Sequence, residues 1–205
     1  SYSALILPVD AEPVLVVDLP DYPKEKTFVD DVRSTLKVPQ KTAEVLKETG
    51  LAKAKLGLVG RECLLHHSFQ LMEETLGHSL KTEPADDILE TLRRVKSGGE
   101  IAIMKHAAAV GVEWMRTMME AVQAGKTEGD FVGEGLKYFA AHGGFPYDVA
   151  VASGPNSHRF ERFGIPAWDY ERKLEDGDIV HVDAWGPVEC YYTDLVRSNL
   201  VGGRP

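Results

Sequence analysis

The sequence predicts an α+β protein built in two parts, and three observations carry that prediction. Over the first ~90 residues short apolar runs alternate with helical patterns, the mark of a small α/β domain. From Glu100 a long segment carries apolar residues at steps of three and four. From Asp178 two arms rich in β-branched and aromatic residues flank a turn, as in a β-hairpin.

Taken in order, residues 4–7 and 13–17 are apolar runs around Asp10-Ala11-Glu12 and predict a hairpin. Residues 39–48 predict a helix closed by Gly50, with Lys47 near its end. A brief buried-type strand follows at 56–59, then a helical pattern at 62–76. Between Lys81 and Gly99 the chain turns strongly charged, and a short helix ending at Gly98-Gly99 is expected there as a junction. The expected parts are residues 1–92 and 93–205. The long helix runs over 100–124, with Ile101, Met104, Ala108, Val112, Met115, Met119 and Val122 as its packed stripe. Gly125 ends it. Thr127 caps the next helix with Asp130 placed to answer it, and Gly143 closes that helix after His142. A strand at 147–152, a long loop over 153–175 and the terminal hairpin complete the chain.

Composition narrows the function. With 43% hydrophobic and 27% charged residues the chain has the make-up of a soluble globular protein. A net charge of −9 without a basic run argues against a nucleic-acid surface. No apolar run approaches the ~20 residues that span a bilayer. Two distant cysteines, Cys63 and Cys190, indicate neither a disulfide framework nor a thiolate zinc site, so the expected compartment is the cytoplasm. Both ends look cut from something longer, since the first residues resemble the inside of a strand and Pro205 follows one closely.

The most informative residues are Asp183 and Asp194, on either arm of the terminal hairpin. Gly186-Pro187 supplies a turn signal, and a turn centred between Val188 and Glu189 sets Asp183 directly opposite Asp194, and Trp185 opposite Tyr192. Their Cβ atoms would then lie ~4.5–5.5 Å apart on one face. Two readings stand on the residues alone: solvated carboxylates on a wet strand, or a like-charge pair made favourable by divalent cations.

Four segments in this order resemble the pita-bread metallopeptidases, the group of methionine aminopeptidase, aminopeptidase P, prolidase and the non-peptidase creatinase. They are Lys96 to Ile101, Gly125-Lys126-Thr127-Glu128, Ala152-Ser153-Gly154-Pro155-Asn156-Ser157, and Gly177 to Asp183 with Tyr191 to Arg197. The resemblance implies part of a creatinase-type N-terminal domain followed by the first half of a pita-bread catalytic domain. It implies a hydrolase in which two divalent metal ions activate a water. Manganese is expected first, with cobalt, zinc or iron as alternatives. Asp183 and Asp194 match two metal ligands, and one histidine and two glutamates are expected beyond Pro205. Creatinase itself lacks the metal ligands, so retention of both aspartates counts against metal-free chemistry.

The family places a substrate-contacting histidine after the Ser-Gly-x-Asn loop, and His158 is the candidate for that catalytic part, against a plain surface histidine. The stretch 159–169 after it is longer than the family pattern. His181, two residues before Asp183, is either packed or holds an aspartate in orientation. Arg197 either pairs with a carboxylate near the site or is an exposed strand-end arginine. Substrate-binding residues are not readable. The implied partner is a small peptide or small molecule, and the family plan implies a homodimer. Three functions follow: an Xaa-Pro aminopeptidase or dipeptidase; a creatinase-like amidinohydrolase or lyase on a small compound; or a binding module that has lost catalysis.

Overall fold

The computed structural model describes residues 3–159 and 166–203, which form two compact units, Ser1–Val95 and Lys96–Pro205. In the first, β1 (Ser3–Ile6) pairs antiparallel with β2 (Val14–Val17), as the apolar runs predict. β3 (Asp31–Ser34) then adds parallel to β2. Its residues, Asp31-Val32-Arg33-Ser34, carry no strand pattern; Arg33 donates to Asp31 and also pairs with Glu48, so the charges are met locally. α1 (Val38–Glu48) puts Val38, Ala43, Val45 and Leu46 into a core with Ile6, Val14, Val16 and Leu76.

β4 (Lys55–Leu58) is followed by α2 (His66–Thr75), which starts after a tight turn at Arg61–Cys63 rather than at residue 62. β5 (Lys81–Pro84) pairs parallel with β4 in the segment expected as a junction. α3 (Asp86–Arg94) carries acids in its first turn and arginines in its last, in keeping with the helix dipole.

The second unit opens with α4 (Gly98–Ala121) and α5 (Glu128–Ala141). Both begin with a capping box. Ser97 Oγ accepts from Glu100 N while Glu100 Oε2 accepts from Ser97 N, and Thr127 and Asp130 exchange the same pair of bonds. The packed face of α4 coincides with the predicted stripe only in its second half, at Met115 and Met119, with Val122 just beyond the helix. Ala107, Val110, Gly111, Trp114, Met115 and Met118 are buried, while Ile101, Met104 and Val112 are exposed. The helix is apolar on more than one side, so spacing alone does not choose the face; the sheet that packs on it does.

That sheet is antiparallel, in the order β6 (Asp148–Ser153), β7 (Ile179–Val188), β8 (Tyr191–Leu200). Val180, Val182, Ala184 and Val188 alternate toward the helices and join Trp114, Phe131, Phe139, Val149 and Val151 in one core. Trp114 stacks on Phe139 at 3.9 Å between centroids. The other face of the sheet is open. Among the described residues no helix is long and apolar enough to cross a membrane.

Candidate metal centre

The hairpin turn falls one residue later than expected. Glu189 and Cys190 both have positive φ, at 48° and 67°, which is the two-residue turn whose twist matches paired strands. Gly186 and Pro187 instead lie inside β7, where Gly186 permits the close approach of Phe145: a Cβ there would stand 2.4 Å from the Phe145 carbonyl oxygen. The register that results pairs Asp183 with Val196, Trp185 with Asp194 and Pro187 with Tyr192. So the two aspartates are diagonal rather than directly opposed, and Trp185 does not face Tyr192. Moving the turn by one residue shifts the pairing by two, which keeps both carboxylates on the same face.

A diagonal pair has its β-carbons roughly 7 Å apart, which weakens the direct repulsion and leaves space between the carboxyl groups. Asp183 is half-buried and its Oδ1 is sealed from solvent, whereas Asp194 is exposed. The open face is laid out in three rows across the sheet. Asp148, Trp185 and Asp194 form one, Ala150, Asp183 and Val196 the next, and Ala152, His181 and Ser198 the third. Ala150 and Ala152 of β6, across from Asp183 and His181, are both buried.

His181 shares the face of Asp183, and its Nδ1 lies 2.7 Å from Ser198 Oγ, a hydrogen bond that fixes the ring. Arg197 does not join them. Three residues from Asp194, it alternates to the opposite side of β8, and its Nη1 donates to Val196 O. The expectation that it pairs with a carboxylate of the site is therefore corrected. His158 sits in the exposed turn after β6, with Nδ1 donating to Pro155 O at 2.9 Å. Of the long stretch after it, residues 160–165 lie outside the described part of the chain.

Two features escaped the sequence reading. Glu128, at the first position of α5, is only 2% exposed. Its Oε1 accepts from Ser153 Oγ at 2.6 Å and its Oε2 from Asp169 N, so one carboxylate ties α5 to the end of β6 and to the returning loop. It lines a cleft of about 180 Å³ with Val151, Ala152, Asn156 and Arg159. Tyr191 OH, at the hairpin tip, donates to Glu100 Oε1 at 2.8 Å and so anchors the hairpin to the start of α4. That bond and the one from Ser97 N hold the Glu100 carboxyl below its ordinary range, the backbone bond being the larger cause. In sequence, Glu128 looks like an ordinary acidic residue at a helix start; only the fold brings its partners.

A model of metallopeptidase family M24 matches residues 102–205, half of the chain. The chain belongs to metallopeptidase family M24. Within the family it is 26% identical over 196 residues to an Xaa-Pro dipeptidase of Pyrococcus furiosus, covering 85% of this chain and 53% of that protein. Its fold resembles an Xaa-Pro dipeptidase from Bacillus anthracis, with a TM-score of 0.77 and 20% identity, over all of this chain and 56% of that one. Aminopeptidase P from Escherichia coli superposes with a TM-score of 0.71 at 20% identity, over 92% of this chain and 47% of its own. The α+β, pita-bread architecture is thus that of the M24 enzymes, and the chain spans about half the length of the relatives it matches.

M24 membership implies divalent metal ions. The donor chemistry of the open face fits them in kind: two carboxylates on one strand pair are ligands for hard cations. In number they supply part of a set, because among the described residues no three His, Cys, Asp or Glu side chains cluster to hold an ion.

Proposed function

We propose that this chain carries the first half of the catalytic core of an Xaa-Pro peptidase, with Asp183 and Asp194 as two carboxylate ligands of a dinuclear metal centre. The observation that supports this reading most is the placement of both aspartates on the open face of β7 and β8, within a chain of the M24 family. The Xaa-Pro preference rests on the relatives, which include the Pyrococcus furiosus dipeptidase. Bound cations would supply Lewis-acid polarisation of a scissile carbonyl and a lowered pKa for water. All-carboxylate donation from this chain favours manganese.

The chain's own residues have separate tasks in this scheme. Asp183 and Asp194 hold positive charge on the open face. His181, fixed by Ser198, keeps the neighbourhood of Asp183 in one arrangement. His158 is retained as the candidate substrate-contacting histidine, on the turn past β6.

The test is manganese binding by the intact protein and by Asp183→Asn and Asp194→Asn variants, followed by hydrolysis of Xaa-Pro dipeptides. Each substitution is expected to weaken metal affinity by more than the 10–100-fold seen when a residue merely supporting a ligand is lost, and to abolish turnover. Unchanged metal content in both variants would overturn the assignment.

A further inference from the structure

The open face holds a second group of residues that the metal reading does not use. Trp185 stands in its row between Asp148 on β6 and Asp194 on β8. The Tyr147 ring lies 6.5 Å from Trp185 and 6.2 Å from Tyr192, edge-on to the latter at 68°. Both tyrosines are largely in solvent, Tyr147 at 67% and Tyr192 at 61% exposed. Asp148 Oδ1 accepts from Val149 N, and among the described residues no Lys or Arg pairs with Asp148 or Asp194.

Rings that served only to stabilise the sheet would bury their faces, and these tyrosines bury little. What they present is a set of π-faces, negative at the centre, beside carboxylates with which no described Lys or Arg pairs. An anion is repelled there, and a neutral aliphatic group gains only the contact. A cation gains from the rings and from the carboxylate together. If Asp194 is engaged with metal, Asp148 is the charge left over for an organic cation.

We propose that Tyr147, Trp185 and Tyr192, with Asp148, bind the positively charged side chain of a lysine or arginine residue in a peptide ligand. Identification of the ligand as a peptide rests on the peptidase reading; the affinity for a cation does not. The experiment is calorimetric titration of the full chain with Arg-Pro and with citrulline-Pro, which matches arginine in shape but is neutral. It is done at low salt for wild type, Asp148→Asn and Tyr192→Ser. Wild type is expected to bind Arg-Pro about five- to tenfold more tightly than citrulline-Pro. That ratio should fall to about twofold or less in either variant, and in wild type at high salt.

The ratio is taken within each protein, so a partly destabilised variant still reports. Equal affinities in wild type, no binding of either dipeptide, or an undiminished ratio in Asp148→Asn would each overturn the proposal. Manganese binding by wild type, Asp183→Asn and Asp194→Asn is measured separately. Manganese binding unchanged in both variants with the arginine preference intact would sink the metal reading and support the patch; manganese binding lost in the variants without the arginine preference would sink the patch alone.

Discussion

Gly111 on α4 faces Thr193 of β8, and a Cβ added there would stand 2.0 Å from Thr193 Oγ1 and 2.7 Å from both its Cβ and Cγ2. In Gly111→Ala, a new Thr193 rotamer can withdraw one of the two γ atoms but not both, and the Cβ is fixed by the backbone. Helix and hairpin must therefore part by roughly 0.7 Å to reach ordinary contact, within a core that is otherwise close-packed. Overpacking of this kind costs about 2–3 kcal/mol. Replacing glycine in a helix interior returns about 1 kcal/mol. The net expectation is a loss of about 1–2 kcal/mol, with about 4 °C of Tm for each kcal/mol in a unit the size of Lys96–Pro205.

Urea unfolding of the intact protein measures this directly. Gly133→Ala in α5, where nothing lies within 4 Å of the new atom, is the control and should gain about 0.5–1 kcal/mol. Adding Thr193→Ala to Gly111→Ala removes two of the three clashes and should recover part of the loss, a non-additivity expected of touching residues. Asp194 follows Thr193 in the strand, so Gly111→Ala should also weaken manganese binding. A Gly111→Ala protein as stable as wild type, with an unchanged denaturant slope, would refute the packing argument.

Other consequences are equally open to measurement. Glu128→Ala leaves the buried Ser153 hydroxyl and Asp169 N–H without their acceptor, at a cost of about 1–3 kcal/mol for each buried group; proteolysis should then cut the loop after β6 sooner, and unchanged cleavage would count against the tie. Gly154→Ala introduces a Cβ at φ +50°, 2.6 Å from Asp178 Oδ1 and 2.7 Å from Arg172 Nη2, so it should break the Arg172–Asp178 pair (2.7 Å) and lower thermal stability. Glu100 and Asp130 are both held below their ordinary values of 4.5 and 3.8, chiefly by backbone N–H groups of Ser97 and Thr127. Their folded values are the lower ones, so the stability they add is present above about pH 4.5 and is lost as pH falls through those depressed values. Glu100→Gln and Asp130→Asn should flatten the acid limb of the stability curve.

Local rules made part of this molecule readable. Thr127 and Asp130 sit three apart before an apolar helix, and that alone predicts the capping box that forms. The shared face of Asp183 and Asp194 was also legible, because a strand alternates strictly and a pairing shift of two preserves parity. The register itself was not: the turn falls on Glu189 and Cys190, which carry no residue-level signal for positive φ, while Gly186 and Pro187 imitate one. β3 and β5 were hidden for a related reason, since charged residues such as Asp31 and Lys81 become strands only by pairing with a parallel neighbour distant in sequence.

Sequence by itself thus determined the α+β class, the capped start of α5 and the pair of carboxylates on one strand face, all set by spacing within a few residues. Tertiary structure decided which side of α4 is buried, because Gly111 must meet Thr193. It set the diagonal relation of the aspartates, turned Arg197 away from them, and gathered Ser153 and Asp169 around Glu128. These depend on contacts between segments far apart in the chain, where packing and pairing, and not local preference, carry the free energy.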